Sequence, residues 1–207
     1  MQPLPRAAEI TAFHDACHAA GDWADRGARR FAEGAWQALE DNHRCNCLLW
    51  AEEDLARRRS VPDAAIASNK RAIDGHNQAR NDAIERIDEA LLAAMAGVER
   101  QAGARLSSET AGAMIDRLSI LSLKIHHMRL QTLRTDVDPA HVAGAASKLA
   151  RLIEQRGDLS AGLERLLQEA ARGESWFKVY RQFKMYNDPR LNPAIYGERG
   201  GGGTGTG

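Results

Sequence analysis

Residues 66–88, IASNKRAIDGHNQARNDAIERID, place Lys70, Asp74, Asn77, Arg80, Asn81 and Glu85 where the apolar stripe of a long helix should continue. Asp74, Asn77, Asn81, Glu85 and Asp88 follow one another at three and four residues and so share one helical face, with Lys70 one turn earlier. A second window has the same property, because Asn46, Trp50, Glu53, Asp54 and Arg57 also follow at three and four residues. Amides and guanidinium groups donate hydrogen bonds to anionic oxygens, whereas carboxylates accept from hydroxyls, move a proton or hold a hard cation. Such a set suits a phosphorylated or hydroxyl-rich small molecule.

The two windows are predicted to face each other. Ser60-Val61-Pro62-Asp63 reads as a tight break, with Pro62 at the first position of a new helix and Asp63 in its first turn. Both flanking helices rise about 1.5 Å per residue, so residues equally far from Val61 should be level. Counting outward sets Glu53 beside Lys70, Trp50 beside Ile73 and Asp74, Asn46 beside Asn77 and Asn42 beside Asn81. Buried charges without partners cost several kcal/mol, so this array must be mutually paired, wet or ligand-bound. The bland alternative is a solvated face on two helices with some ion pairs between them. Four asparagines argue against that alternative, since an exposed helix face has no reason to prefer them over Glu, Lys or Ala.

Other chemistry-bearing residues give weaker signals. Asp82, Glu85 and Asp88 stand at i, i+3 and i+6, a spacing that can hold Mg²⁺ but is common on exposed flanks, and no metal is assigned there. Asp116, Arg117 and Ser119 open an apolar run and either wall a pocket from a third side or cap their helix. His14, Cys17 and His18, and separately His43, Cys45 and Cys47, bring ligand types together without a spaced four-ligand zinc pattern, so they read as helix-packing residues. His126 and His127 point about 100° apart on a helix and do not act as a pair. There is no Gly-rich phosphate loop and no nucleophile elbow. Trp176 to Tyr186 interleaves aromatic and basic residues, which suits either ring stacking or a terminal helix pinned by Trp176, Tyr180 and Phe183.

The elements that position these residues are helices. Ile10, Phe13, Cys17 and Ala20 mark a first helix over 7–20, ended by Gly21. A second runs from about Ala28 to Arg59 and a third from the Val61 break to about Gly103. A capping signature at Ser107-Ser108-Glu109-Thr110 opens a fourth, with Met114, Leu118, Leu121, Ile125 and Met128 as its core stripe. Asp138-Pro139 opens a fifth, whose register runs unbroken through Gly157 to Ala170. No strand pattern and no repeat is found. The expectation is an all-α antiparallel bundle of about five helices, as one domain over 1–196 with a flexible Gly-rich tail over 197–207.

Composition bounds the partners. A chain of 207 residues buries roughly 70% of its unfolded surface and needs no metal or disulfide for stability. With 28 basic and 28 acidic side chains the formal net charge is zero, which argues against a general nucleic-acid binder. Three cysteines, two of them one residue apart, fit reduced thiols in a cytosol. No apolar run spans a bilayer and no signal peptide is visible, so a cytoplasmic protein is expected.

Taken in order, LLWAEEDLARR, KRAIDGHNQARNDAIERID, IDRLSILSLKIHHM and YRQFKMYNDPRLNP resemble a bacterial family catalogued as domain of unknown function four-two-five-four. The resemblance covers about Ile10 to Tyr196. It implies a cytoplasmic bacterial helical protein from a family associated with gene neighbourhoods for cell-envelope glycan synthesis, and it assigns no residue a role. The motif residues include Trp50, Glu52, Glu53, Asp54, Arg57, Lys70, Asp74, Asn77, Arg80, Asn81, Glu85, Asp88, Asp116, Arg117, Lys124, Arg181, Lys184, Asn187 and Asp188.

The leading expectation is a polar pocket between the second, third and fourth helices that binds, and in one version turns over, a phosphorylated or sugar-containing small molecule. Lys70, Arg80 and Arg117 would meet anionic oxygens, with Asn46, Trp50, Arg57, Asn77, Asn81 and Asp116 completing the ligand contacts. Glu53, Asp54, Asp74 or Glu85 would serve as acid, base or cation ligand. No cofactor follows from the sequence. The rival is a non-enzymatic partner or scaffold of a glycan-synthesis enzyme, docked through Trp176–Tyr186.

Overall fold

The computed structural model describes residues 4–183 and 190–193. Among these the chain is all-α apart from one short strand pair, with helices α1 (Ala7–Ala19), α2 (Trp23–Arg26), α3 (Gly34–Ala56), α4 (Asp63–Ala94), α5 (Ala111–Thr132) and α6 (Pro139–Ala171). The strands are β1 (Arg105–Leu106) and β2 (Ser175–Trp176). The expected Gly-rich tail over 197–207 lies outside the described residues, as do Lys184, Tyr186, Asn187 and Asp188.

Local signals set most boundaries. Thr110 caps α5 by accepting from the Ala113 N–H at 3.1 Å, and Asp138 caps α6 by accepting from His141 N–H at 2.8 Å with Pro139 following. Pro62 precedes α4 in an extended conformation, as the break at Val61 requires. The α6 helix passes through Gly157 unbroken, as its register predicted. Two predicted spans are too long. The second helix begins at Gly34 rather than near Ala28, because residues 27–33 form a loop whose Arg30 and Phe31 N–H groups donate to Glu40, and α4 ends at Ala94 rather than near Gly103.

Two antiparallel hairpins make the bundle, α3 with α4 and α5 with α6, and α1 packs across α5 and α6. The α5 helix is the central one, touching α1, α3, α4 and α6 and burying ten residues from Ala111 to Ile125. Ile10, Phe13, Leu39, Ile87, Leu91, Ile115, Leu118 and Leu163 form one continuous core, each burial worth about 1.5–3 kcal/mol for the larger side chains. The α3–α4 hairpin follows the count from Val61 near the turn, where Asn69 donates to Glu52 at 2.7 Å. Further out Asn46 and Asn77 line one cleft, and the long Arg86 side chain of α4 reaches Asp41 of α3 at 3.1 Å.

The end of the chain differs from the helix expected through Trp176, Tyr180 and Phe183. Trp176 lies in β2, parallel to β1, and residues 177–183 are not helical. Two-residue strands give no period-2 pattern, which is why no strand was legible. The segment is held by Phe177, 1% exposed in the core, and by the Arg100 guanidinium 3.9 Å above the Trp176 ring, while Phe183 is 88% exposed.

Candidate functional site

Asp116 on α5 is the hub on which the polar residues of α3 and α4 converge. Its Oδ1 accepts from Asn42 Nδ2, Asn46 Nδ2 and Arg80 Nε, and its Oδ2 accepts from Arg80 Nη2, all at 2.9 Å. Asn46 also donates to Ser119 Oγ at 3.0 Å, and Ser119 Oγ lies 2.8 Å from His43 Nδ1. Asn42, His43, Asn46, Asp116 and Ser119 are all buried. These five residues of α3 and α5 satisfy one another, and Arg80 adds α4 to the network. Asp116 is thereby occupied by four donors and positions Arg80 and the asparagines beneath the surface.

Above this network a cleft of about 270 Å³ opens between α3, α4 and α5. Asn46, Glu53, Asp54, Arg57, Asn77 and Arg80 face it, with Trp50 at one rim. Arg57 reaches Glu53 at 3.1 Å and Asp54 at 3.3 Å, so the cleft carries acceptors and donors in nearly balanced charge. Two carboxylates beside amide and guanidinium donors can bind hydroxyl groups and can relay a proton.

Five predicted residues lie elsewhere. Lys70 pairs with Asp74 along the exposed side of α4, one turn apart. Glu85 receives Arg181 at 2.6 Å and the Gln182 N–H at 2.9 Å; burial pushes its pKa up, but these hydrogen bonds outweigh that and hold it below the usual carboxylate range. Arg117 pairs with Glu109 on the other side of α5, and Asn81 lies on α4 outside the cleft. Asp74, Asn81 and Glu85 therefore do not join Asn77 at the cleft as their spacing predicts, and Arg117 projects from the side of α5 away from it.

The acidic spacing of Asp82, Glu85 and Asp88 also divides. Gln78 binds Asp82 at 2.6 Å, and Asp88 is 2% exposed and accepts from the Gly112 N–H at 2.7 Å. Burial raises the Asp88 pKa to about 6 against the lowering effect of hydrogen bonds from Thr110 and Gly112. The three acids serve three different contacts.

A second cleft of about 400 Å³ lies between α3, α5 and α6 and shares Trp50 with the first. It is mainly apolar, with Lys124, Lys148 and Arg151 around it and no acid facing it. The Trp50 ring stacks on His127 at 4.4 Å with only 5° between the planes. Because apolar residues alone define the α6 register, the sequence expectation does not include Lys148 and Arg151. Their three-residue spacing, with Gln155 four further on, was the available signal.

Histidines gather beneath the same region. His14 stacks on His43 at 4.3 Å and His18 on His126 at 4.9 Å. Burial lowers the His14 pKa to about 3 and that of His18 to about 4, and it lowers those of His43 and His127 as well. Burial pushes the Cys17 and Cys47 thiols up to about 12 and Cys45 to about 11; none of the three is in a disulfide. Among the described residues no helix is long and apolar enough to cross a membrane.

No curated protein and no solved structure matches the chain. A family model described as "Protein of unknown function (DUF4254)" matches residues 36–179, a shorter span than the resemblance from Ile10 to Tyr196 suggested. It takes in α3 to α6 and both strands and leaves out α1 and α2. The model covers more than half of the chain, and the protein belongs to that family.

Proposed function

We propose that the protein binds a phosphorylated sugar or a small molecule of that class across the two clefts that meet at Trp50. The observation that carries this reading is the position of Trp50, at the common rim of a polar cleft and a cation-lined one. Its ring offers a stacking platform for a sugar or a base. On one side Asn77, Glu53 and Asp54 match hydroxyl groups, and on the other Lys124, Lys148 and Arg151 match phosphate oxygens. This assigns the anion to α5 and α6 rather than to Lys70 and Arg117, which stand away from both clefts. Arg80 is oriented by Asp116 and offers its remaining Nη1, 3.5 Å from Asn77 Oδ1, toward the polar cleft. If the bound molecule is turned over, Glu53 and Asp54 are the carboxylates in place to do it. A role in bacterial cell-envelope glycan metabolism, in the cytoplasm, is the part of the proposal that rests on the family resemblance alone.

The test is a titration with a hexose phosphate, followed by tryptophan fluorescence and calorimetry. Binding should weaken at least 10-fold in the folded Asn77→Ala/Arg80→Ala double variant and in Lys148→Ala/Arg151→Ala, and Trp50→Phe should remove most of the fluorescence change. Unaltered affinity in both folded double variants would sink the reading. The scaffold alternative draws on the exposed Phe183 and Tyr180, yet the same segment is engaged by its own bundle through Phe177 and Arg181. A protein partner retained by the Asn77→Ala/Arg80→Ala variant and lost with Phe183→Ser would favour it.

A further inference from the structure

Two sequence windows that separately lack a metal pattern come together in the fold. His18 from α1 and His43 and Cys47 from α3 bring one nitrogen or sulfur atom each to within 4.8 Å of one another. His43 and Cys47 are one turn apart on the same helix, with His43 Nε2 3.8 Å from Cys47 Sγ. Among the described residues no other group of His, Cys, Asp and Glu side chains has this closeness.

Three further observations point to a ligand. The other nitrogen of His43, Nδ1, lies 2.8 Å from Ser119 Oγ, and Ser119 is itself fully buried and held by Asn46. A Nδ1–H donated to that hydroxyl leaves the lone pair on Nε2, the arrangement by which an outer hydrogen bond fixes the tautomer of a metal-binding histidine. His18 Nε2 is buried and has no hydrogen-bond partner among the described residues. A cavity of about 400 Å³, faced by His18, Cys47, Trp23, His126 and His127, opens on the same side. It provides room for a fourth ligand from solvent.

We propose that His18, His43 and Cys47 bind a transition-metal ion of the zinc class, with the fourth coordination position open to this cavity. Two imidazoles and a thiolate suit a borderline-soft ion, and three protein ligands with an open position are the pattern of reactive rather than purely structural zinc sites. Bonds of about 2.0–2.3 Å require the three donor atoms to draw together from their present separation, which side-chain rotation of His18 at the half-buried rim can supply. Coordination displaces the Cys47 thiol proton to solvent. The cavity shares Trp50, Asp54 and Leu123 with the polar cleft, so an ion there would adjoin it, but the metal site stands whether or not a sugar phosphate binds.

The experiment is a titration of the chelator-stripped full chain with Co²⁺ as a spectroscopic probe, followed by displacement with Zn²⁺. One equivalent should produce a near-ultraviolet thiolate-to-cobalt band that Zn²⁺ abolishes. Cys47→Ser should remove the band, Cys45→Ser should leave it, and Ser119→Ala should weaken the affinity by about 10–100-fold through the loss of tautomer control. His18→Gln, at the rim of the cavity, provides the decisive comparison if the Cys47 variant does not fold, and it should weaken binding at least as much as Ser119→Ala. Absence of the band in the wild type, its survival in Cys47→Ser, or unaltered affinity in His18→Gln would each overturn the proposal.

Discussion

The Arg80 guanidinium meets the Asp116 carboxylate fork to fork, Nε on Oδ1 and Nη2 on Oδ2, each at 2.9 Å. This pair ties α4 to α5 at the level where α3 adds Asn42 and Asn46 to the same oxygen. The Asp116 side chain is 5% exposed and that of Arg80 27%, so removal of the two partners should have unequal effects. Asp116→Ala strands a guanidinium and two buried amides and should cost about 3–5 kcal/mol in urea denaturation. Arg80→Ala leaves Asp116 with its asparagine donors and should cost less. A double-mutant cycle should show coupling of at least about 1 kcal/mol, and strict additivity would mean that the pair is not a unit.

Gly112 fixes how closely α5 approaches α4. A Cβ there would lie 2.6 Å from the Ile84 carbonyl oxygen and 3.0 Å from the Asp88 carboxyl. Neither can move freely, since one is helix backbone and the other is held by the Gly112 N–H. Gly112→Ala should therefore destabilise by about 3 kcal/mol despite the better helix propensity of alanine, as read from the midpoint of chemical unfolding. A neutral result would show that the two helices separate at little cost.

Asp88 supplies a pH dependence of defined sign. Its pKa is raised by burial from 3.8 to about 6, so between these values the folded chain holds the proton more tightly than the unfolded one. The stabilising contribution is full below about pH 4 and is lost as pH rises through 6, amounting to about 2–3 kcal/mol. Asp88→Asn keeps an oxygen for the Gly112 N–H but cannot ionise. The variant should match the wild type near pH 4 and exceed it in stability at pH 7. Parallel stability curves for the two proteins across this range would refute the assignment.

Gly173 ends α6 with a φ of 73°, and its carbonyl accepts from Gln101 N–H at 2.9 Å. A Cβ on this glycine would lie 2.1 Å from the Glu99 carbonyl oxygen. Gly173→Ala combines left-handed strain with a backbone clash and should cost at least about 2 kcal/mol. Because β2 and Phe177 follow directly, faster hydrogen exchange at Ser107, whose N–H bonds the Trp176 carbonyl, should accompany the loss. Exchange unchanged in that variant would separate the turn from the docking of the C-terminal segment.

Helical periodicity determined the all-α class and the face of α3 on which Asn46 and Glu53 stand, and the break at Val61 and Pro62 marked the α3–α4 hairpin. Those properties are local, since side chains three and four apart share a face whatever packs against it. Which element covers that face is a non-local matter, settled by the fit of one side chain into another. The α5 helix places Asp116 under Asn46 and Arg80 and meets α4 again at Gly112, whereas Lys70 pairs with Asp74, Glu85 with Arg181, and Arg117 turns to the other side of α5, so these three fall outside the cleft. The β1–β2 pair and the approach of His18 to His43 and Cys47 join residues far apart in the chain. No spacing rule within one helix carries that information, because it arises only when α1 and α3 close on the same core.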